Sequence, residues 1–276
     1  MAALLAVLSS LMWGSADFLG GVTSRRLPAL AVYGLSQAIG FVVLMTVATV
    51  TGGWASDPAY WPWAIAASAL GMVGMISFYR ALSIGPMGIV SPLVALSVLV
   101  PVAFALLRGE APGSVQVLGI ILAVVGILLA SGPELSGAES ARPLILAGVA
   151  AIAFGGMYIT MAEGSKTDPL MTMTGMRVTT VVIFAVVLLW VHNLGGVQRR
   201  DLLPLAVIGI FDAAANVAFG IATTMGLLST TSVLGSLYPV VTAILAAVFL
   251  HERLKAVQYA GVAAALAGVV MISTSI

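Results

Sequence analysis

Residues 110–126 read EAPGSVQVLGIILAVVG, and residues 252–268 read ERLKAVQYAGVAAALAG. Both have the spacing Glu-x5-Gln-x2-Gly-x6-Gly, so that Glu110, Gln116, Gly119 and Gly126 fall on Glu252, Gln258, Gly261 and Gly268, 142 positions later. Outward from these stretches the correspondence continues at a spacing of 141: Trp13-Gly14 falls on Phe154-Gly155, and Pro28 with Gly34 falls on Pro169 with Gly175. Chance matches between glycine-rich apolar helices are common. Polar residues repeated without a gap at helix entrances favour internal duplication.

The chain that holds these copies has 276 residues, 61% of them hydrophobic and only 8% charged. That balance cannot build a water-facing globular surface, so lipid must be the solvent. Apolar runs of bilayer length, cut by Gly, Pro and rare charges, predict ten transmembrane helices and an all-α membrane protein. The expected spans are Ala2–Gly21, Ala29–Thr51, Trp61–Leu82, Met87–Leu107, Val115–Ala130, Leu144–Met161, Leu170–Val191, Leu202–Thr224, Ser229–Leu250 and Ala256–Ser273. The longest polar stretch, Ser131 to Arg142, splits them five and five. The expected organisation is a first repeat over 1–131, a linker over 132–142 and a second repeat over 143–276. An odd number of helices per copy turns the second copy upside down, a layout of many secondary transporters.

Several classes of function fall away. A formal net charge of +1 with scattered basic residues makes no face for phosphates, which excludes nucleic acid as a partner. The absence of cysteine removes disulfides, thiolate nucleophiles and cysteine metal sites. His192 and His251 sit at helix ends without a carboxylate cluster at ligand spacing, so neither a metal nor a serine–histidine hydrolase is expected. No Gly-x4-Gly-Lys loop occurs, which argues against ATP-driven pumping, and no cofactor is expected. The run Ala2 to Gly21 lacks a basic n-region and reads as a retained first helix, with no targeting peptide.

Trp13-Gly14-Ser15-Ala16-Asp17-Phe18, Tyr79-Arg80-Ala81-Leu82 and the duplicated glutamate and glycine pattern resemble the drug/metabolite transporter superfamily, most closely its ten-helix EamA-type members. The resemblance covers nearly the whole chain. It implies two inverted five-helix repeats and a central cavity lined mainly by helices 1, 3, 4, 6, 8 and 9, with helices 5 and 10 toward the periphery. Members of that superfamily export amino acids, other metabolites or toxic compounds, and relatives import sugars.

Of the eleven basic residues, the loops after the odd helices hold eight: Arg25, Arg26, Arg80, Arg142, Arg199, Arg200, Arg253 and Lys255. The loops after the even helices hold only Arg108 and Lys166. Positive residues stay inside, so in the inner (plasma) membrane both termini are expected outside. The resemblance implies the opposite, cytoplasmic termini.

Charges inside the span cost about 2.5–3.5 kcal/mol on insertion scales and so face a cavity or a partner. Arg177 lies near the middle of helix 7, Asp212 near the middle of helix 8 and Asp17 toward the loop end of helix 1. The first repeat has Ser36 and Leu70 where the second has Arg177 and Asp212. Two readings stand for that pair. Asp212, with Asn216 at i+4, can offer acceptor and donor groups to a solute, or Arg177 and Asp212 can bridge helices 7 and 8 as a structural ion pair. Proton coupling through Asp212 depends on whether Arg177 reaches it.

Asp17 has Arg80 as a candidate companion on the same membrane side, which would make a gate or clamp; the alternative is that Arg80 snorkels to lipid phosphates. Trp13 precedes Asp17 by one turn, as Phe154 precedes Tyr158, so both helices present an aromatic beside a polar group. Such a face suits an apolar or cationic solute, or ordinary helix packing. Pro92 and Pro101 in helix 4 and Pro239 in helix 9 are expected to kink repeat-related helices and form hinges, with Tyr238 lining the cavity.

The expected function is a secondary carrier that moves a small polar or amphipathic solute by alternating access, in the export direction that the resemblance favours. Trp13, Asp17, Tyr158, Arg177, Asp212, Asn216 and Tyr238 are the expected substrate-binding residues, and Arg80, Pro92, Pro101 and Pro239 the expected gate or hinge. Asp212 or Asp17 is the candidate for a coupling proton, exchange being the other source of drive. Alternatives left open by the sequence are an importer of a sugar or other neutral metabolite, a passive channel, and a non-transporting membrane enzyme or scaffold.

Overall fold

The computed structural model describes residues 1–24, 26–84, 93–130, 141–191, 196–249 and 255–274. Every regular element among them is helical. In chain order they are α1 (Ala2–Ser24), α2 (Ala29–Val50), α3 (Trp61–Ile84), α4 (Leu93–Leu107), α5 (Ser114–Ala130), α6 (Ala141–Ser165), α7 (Pro169–Val191), α8 (Leu202–Met225), α9 (Leu228–Phe249) and α10 (Ala256–Thr274). Seven of these are long and apolar enough to cross a membrane, while α4, α5 and α10 are shorter apolar helices. Short 3₁₀ turns, Gly53–Ala55 and Pro58–Tyr60, lead into α3.

Helix ends differ from expectation where glycine was read as a stop. α1 runs through Gly20 and Gly21 to Ser24, and α6 runs through Gly164 to Ser165. A glycine ends a helix when the chain needs a left-handed residue, as at Gly109. There φ is +92°, and the Glu110 N–H donates to the Ala105 carbonyl at 3.0 Å to close α4.

Helix pairing follows the repeat. The most extensive contact joins α5 to α10; next come α3 with α6 and α1 with α8, which exchange places when each helix is moved five along. The α2–α8 and α3–α7 contacts are related in the same way. At the α5–α10 seam the duplicated glycines meet: a Cβ on Gly119 would lie 3.0 Å from the Gly268 carbonyl oxygen, and one on Gly126 would lie 2.7 Å from that of Gly261. Small residues let two backbones touch in lipid, where packing rather than hydrophobic burial drives association. The duplicated glutamines cap both helices alike: Gln116 Oε1 accepts the Gly113 N–H and Gln258 Oε1 the Lys255 N–H, each at 2.9 Å.

The two proline-bearing helices are also interrupted alike. α4 passes through a 3₁₀ turn over Leu96–Val98 between its α-helical residues 93–95 and Leu99–Leu107. α9 is broken at Ser236 and Leu237 between Leu228–Gly235 and Tyr238–Phe249, because Pro239 has no N–H for the Gly235 carbonyl. Pro92 lies outside the described residues. Among the loop charges counted above, Arg26 forms an ion pair with buried Asp201, tying the α1–α2 turn to the approach to α8.

Candidate functional site

The first cluster is built on the inner face of α1. At about 100° per residue, Ala6, Ser10 and Trp13 fall on one side of the helix and are buried, while Leu4, Leu8, Leu11 and Val22 fall on the other and are exposed. Asp17 lies within the buried arc, between the angular positions of Trp13 and Ser10, yet it is exposed. Asp17 is thus an exposed carboxyl on the same face of α1 as the buried Ser10 and Trp13.

Trp13 is packed against three rings: Tyr158 of α6 at 5.7 Å, Phe219 of α8 at 5.6 Å and Tyr238 of α9 at 6.5 Å between centroids. Tyr158 and Phe219 lie 5.1 Å apart. Four helices therefore place one aromatic each beneath Asp17, which lies one turn farther along α1. Asp17 makes no hydrogen bond or ion pair with any described residue, Arg80 included. Among the described residues no hydrogen bond or ion pair joins Asp17 to Arg80, which is exposed near the end of α3.

Backbone contact holds the aromatic cluster in place. A Cβ on Gly14 would lie 2.7 Å from the Tyr238 carbonyl oxygen and 2.5 Å from Val241 Cβ, so α1 and α9 touch without intervening side chains. Thr242 Oγ1 donates to the Gly14 carbonyl at 3.0 Å across the same contact. Its repeat counterpart is present: a Cβ on Gly155 would lie 2.6 Å from the Ser97 carbonyl oxygen and 2.4 Å from Val100 Cβ. Phe154, the counterpart of Trp13, packs against Phe78 at 6.5 Å, as Trp13 packs against Phe219.

The second cluster joins α2, α7 and α8. Arg177 Nη2 lies 2.5 Å from Asp212 Oδ2, with the Arg177 side chain only 3% exposed. Gln37 Nε2 donates to the same oxygen at 3.0 Å, and Asn216 Nδ2 donates to the Asp212 carbonyl at 2.6 Å and to Oδ1 at 3.3 Å. Burying an unpaired guanidinium is expensive, and the carboxylate offsets that cost. α2 and α8 approach closely here, since a Cβ on Gly209 would lie 2.2 Å from the Ser36 carbonyl oxygen. Arg177 reaches Asp212, so of the two sequence readings the geometry matches the helix-bridging pair.

The expected residues thus fall into two neighbouring groups, linked along α8, where Asp212, Asn216 and Phe219 share a face at i, i+4 and i+7. Phe219 and Gln37 were not anticipated. Gln37 was visible as a lone amide in an apolar run, and Phe219 as the next member of the Asp212 and Asn216 stripe. Of the expected hinges, Pro101 is buried within α4 and Pro239 follows the break in α9. Beside that break the buried hydroxyls of Ser232 and Ser236 have no hydrogen-bond partner of good geometry among the described residues. A separate cavity of about 380 Å³ opens between the start of α1, Gln116, the turn Met225–Leu227 and Thr230. It contains none of the expected site residues.

The sequence model of the EamA-like transporter family matches residues 1–132 and 141–274 of this chain. No curated protein matches it. Among solved structures, one described only as "Crystal structure of protein" is similar with a TM-score of 0.83 at 17% identity, covering 99% of this chain and 96% of that chain. At that identity the likeness concerns the fold alone.

Proposed function

The chain belongs to the EamA-like transporter family, and from that premise we propose that it is a secondary carrier moving a small polar or amphipathic metabolite across the plasma membrane by alternating access. The moving bodies are two inverted five-helix repeats, with α4, α5 and α10 completing ten spans. The repeat-related helix contacts and the twin breaks in α4 and α9 support this reading. In an inverted repeat, exchanging the conformations of the two halves exchanges the face to which the centre opens.

The observation that carries the proposal is Asp17, an exposed carboxyl with no hydrogen bond or ion pair among the described residues, one turn beyond Trp13 on the face of α1 that packs against Tyr158, Phe219 and Tyr238. Trp13, Asp17, Tyr158 and Tyr238 contact the solute. Arg177, Asp212 and Asn216, with Gln37, hold α2, α7 and α8 together beside it. Asp17 is the group placed to carry a coupling proton, because the Asp212 carboxylate is engaged by Arg177. Pro101 and Pro239 mark the hinges, export is the direction, and the termini face outward as the loop charges indicate.

The test compares extracellular metabolites from cells expressing the intact chain, the Asp17→Asn variant at equal membrane level, and neither. Metabolites that accumulate outside only with the intact chain support export and name the substrate. Coincident profiles for the intact chain and the empty cells overturn export.

A further inference from the structure

The first segment of α9, Leu228–Gly235, reads Leu-Ser-Thr-Thr-Ser-Val-Leu-Gly, and all of it is buried, enclosed by α1, α4, α5 and α8. Most of its hydroxyls are accounted for. Ser229 donates to Glu110, and Thr230 and Thr231 donate to the Leu227 carbonyl at 3.0 and 2.9 Å. Ser232 and Ser236 differ: 0% and 3% exposed, they have no hydrogen-bond partner of good geometry among the described residues. Buried hydroxyls in native folds are nearly always paired, so one without a protein partner points to a bound water or ion.

The break beside them is surrounded by oxygen. Pro239 has no N–H, and Val240 and Val241 both donate to the Leu237 carbonyl, so the second segment offers no N–H to the Gly235 carbonyl. Ser9 of α1 donates its hydrogen to the Ala6 carbonyl at 2.7 Å, which leaves its lone pairs to face outward. The Tyr158 phenol approaches Ser236 without a bond of good geometry. Ser232, Gly235 and Ser236 share one side of the helix, and Gly235 leaves a gap there. The point where its Cβ would lie is 3.0 Å from Phe219 Cδ2 and 3.6 Å from Ser9 Oγ, with nothing nearer outside its own stretch of chain. A methyl-sized gap is too small for a solute and suits a bare ion.

The donor set narrows the ion. The carbonyl end of a helical segment is its negative end, and broken helices in membranes coordinate cations through such carbonyls. All of these oxygens are neutral, which suits a monovalent cation. Ca²⁺ and Mg²⁺ are bound through carboxylates, and no group of three or more His, Asp or Glu that could hold a metal occurs among the described residues. Hydroxyls and carbonyls take up no proton at neutral pH, so H⁺ is not the ligand. The small gap favours Na⁺ over the larger K⁺. The arrangement belongs to one half of the chain: at spacings of 141 and 142 the first copy has Val94 or Leu93 in place of Gly235, and Ala95 or Val94 in place of Ser236.

We propose that Ser232, Ser236 and the Gly235 carbonyl, with Ser9 across the gap, bind one Na⁺ ion at the break in α9. The site is built into the break and does not depend on the carrier reading.

The experiment is equilibrium binding of radiolabelled Na⁺ to the purified full chain in detergent at constant ionic strength, with unlabelled NaCl, KCl or choline chloride as competitor. The expected result is saturable binding that KCl displaces roughly tenfold or more less effectively than NaCl, and that choline chloride does not displace. Ser232→Ala and Ser236→Ala are each expected to weaken it about tenfold. Thr174→Ala, which removes a buried hydroxyl from α7, is expected to leave it within a few-fold. Absence of saturable binding overturns the proposal and assigns the two hydroxyls to bound water. Equal displacement by KCl or choline chloride overturns it as well, as does undiminished binding by both serine variants. The competition series on the intact chain decides the matter even if neither serine variant folds. A chain that binds no Na⁺ yet still changes the extracellular metabolite profile overturns this inference and leaves the carrier reading in place. A chain that binds Na⁺ and changes no profile keeps the site and overturns export.

Discussion

Glu110, in the turn between α4 and α5, accepts the backbone N–H of Leu228 at 2.7 Å, so a carboxylate from the first half of the chain caps the first turn of α9 in the second half. Its other oxygen accepts from the Ser229 N–H at 3.0 Å and from Ser229 Oγ at 2.8 Å. The left-handed Gly109 aims it there. In the sequence Glu110 was visible only as part of the repeated spacing, because spacing cannot show which helix start lies opposite a turn.

Removing that cap leaves helix-start donors without a partner and takes a negative charge from the positive end of α9. Glu110→Ala is expected to lower stability by about 1–2 kcal/mol, and Glu110→Gln by less. Thermal unfolding of the purified variants in detergent checks this. Equal midpoints for the intact chain and Glu110→Ala would contradict it.

The Arg177 and Asp212 pair gives a prediction with opposite signs. Either single removal, Arg177→Met or Asp212→Leu, strands a charge in the interior and is expected to cost about 3–5 kcal/mol. The double variant strands none and is expected to recover most of that loss. Additive losses in a double-mutant cycle would show that the two side chains act independently.

At the α5–α10 seam a Cβ on Gly126 would lie 2.3 Å from the Ala265 nitrogen, whereas one on Gly20 in α1 would meet nothing within 4 Å. Gly126→Ala is therefore expected to destabilise by at least about 1 kcal/mol. Gly20→Ala is expected to be neutral or stabilising by up to about 1 kcal/mol. Unfolding midpoints that move together for the two substitutions would contradict the close approach.

Some of this arrangement was legible in the sequence, and physical reasons separate it from what was not. The duplicated Glu-x5-Gln-x2-Gly-x6-Gly spacing marked the helices of Gly119, Gly126, Gly261 and Gly268 as copies of each other, and these glycines meet across α5 and α10. Trp13, Tyr158 and Tyr238 were chosen separately and converge. The partner of Trp13 was not readable, and Phe219 fills that place. In a soluble helix the apolar stripe points to the core, but in lipid both faces are apolar, so hydrophobicity does not tell Leu8, which is exposed, from Leu205, which is fully buried. For a related reason the sequence could not say whether Asp17 and Arg80 meet: similar depth along two helices says nothing about their rotation.

Because the chain has no cysteine, single cysteines report access without background. Asp17→Cys is expected to react with a charged, membrane-impermeant thiol reagent in opened vesicles. Ser10→Cys, buried on the same face, and Leu11→Cys, on the outer face, are expected to stay unmodified. Mass spectrometry of the labelled chains reads the outcome. Labelling at Leu11 but not at position 17 would reverse the proposed faces of α1.

Counterflow in proteoliposomes tests the central claim most directly. The purified chain is reconstituted, and uptake of the labelled solute identified by metabolite profiling is measured with and without the same unlabelled solute inside. A carrier with one alternating site is predicted to show saturable uptake that internal solute accelerates and that Asp17→Asn abolishes. Uptake linear in concentration and indifferent to internal solute would contradict alternating access and indicate a passive pore.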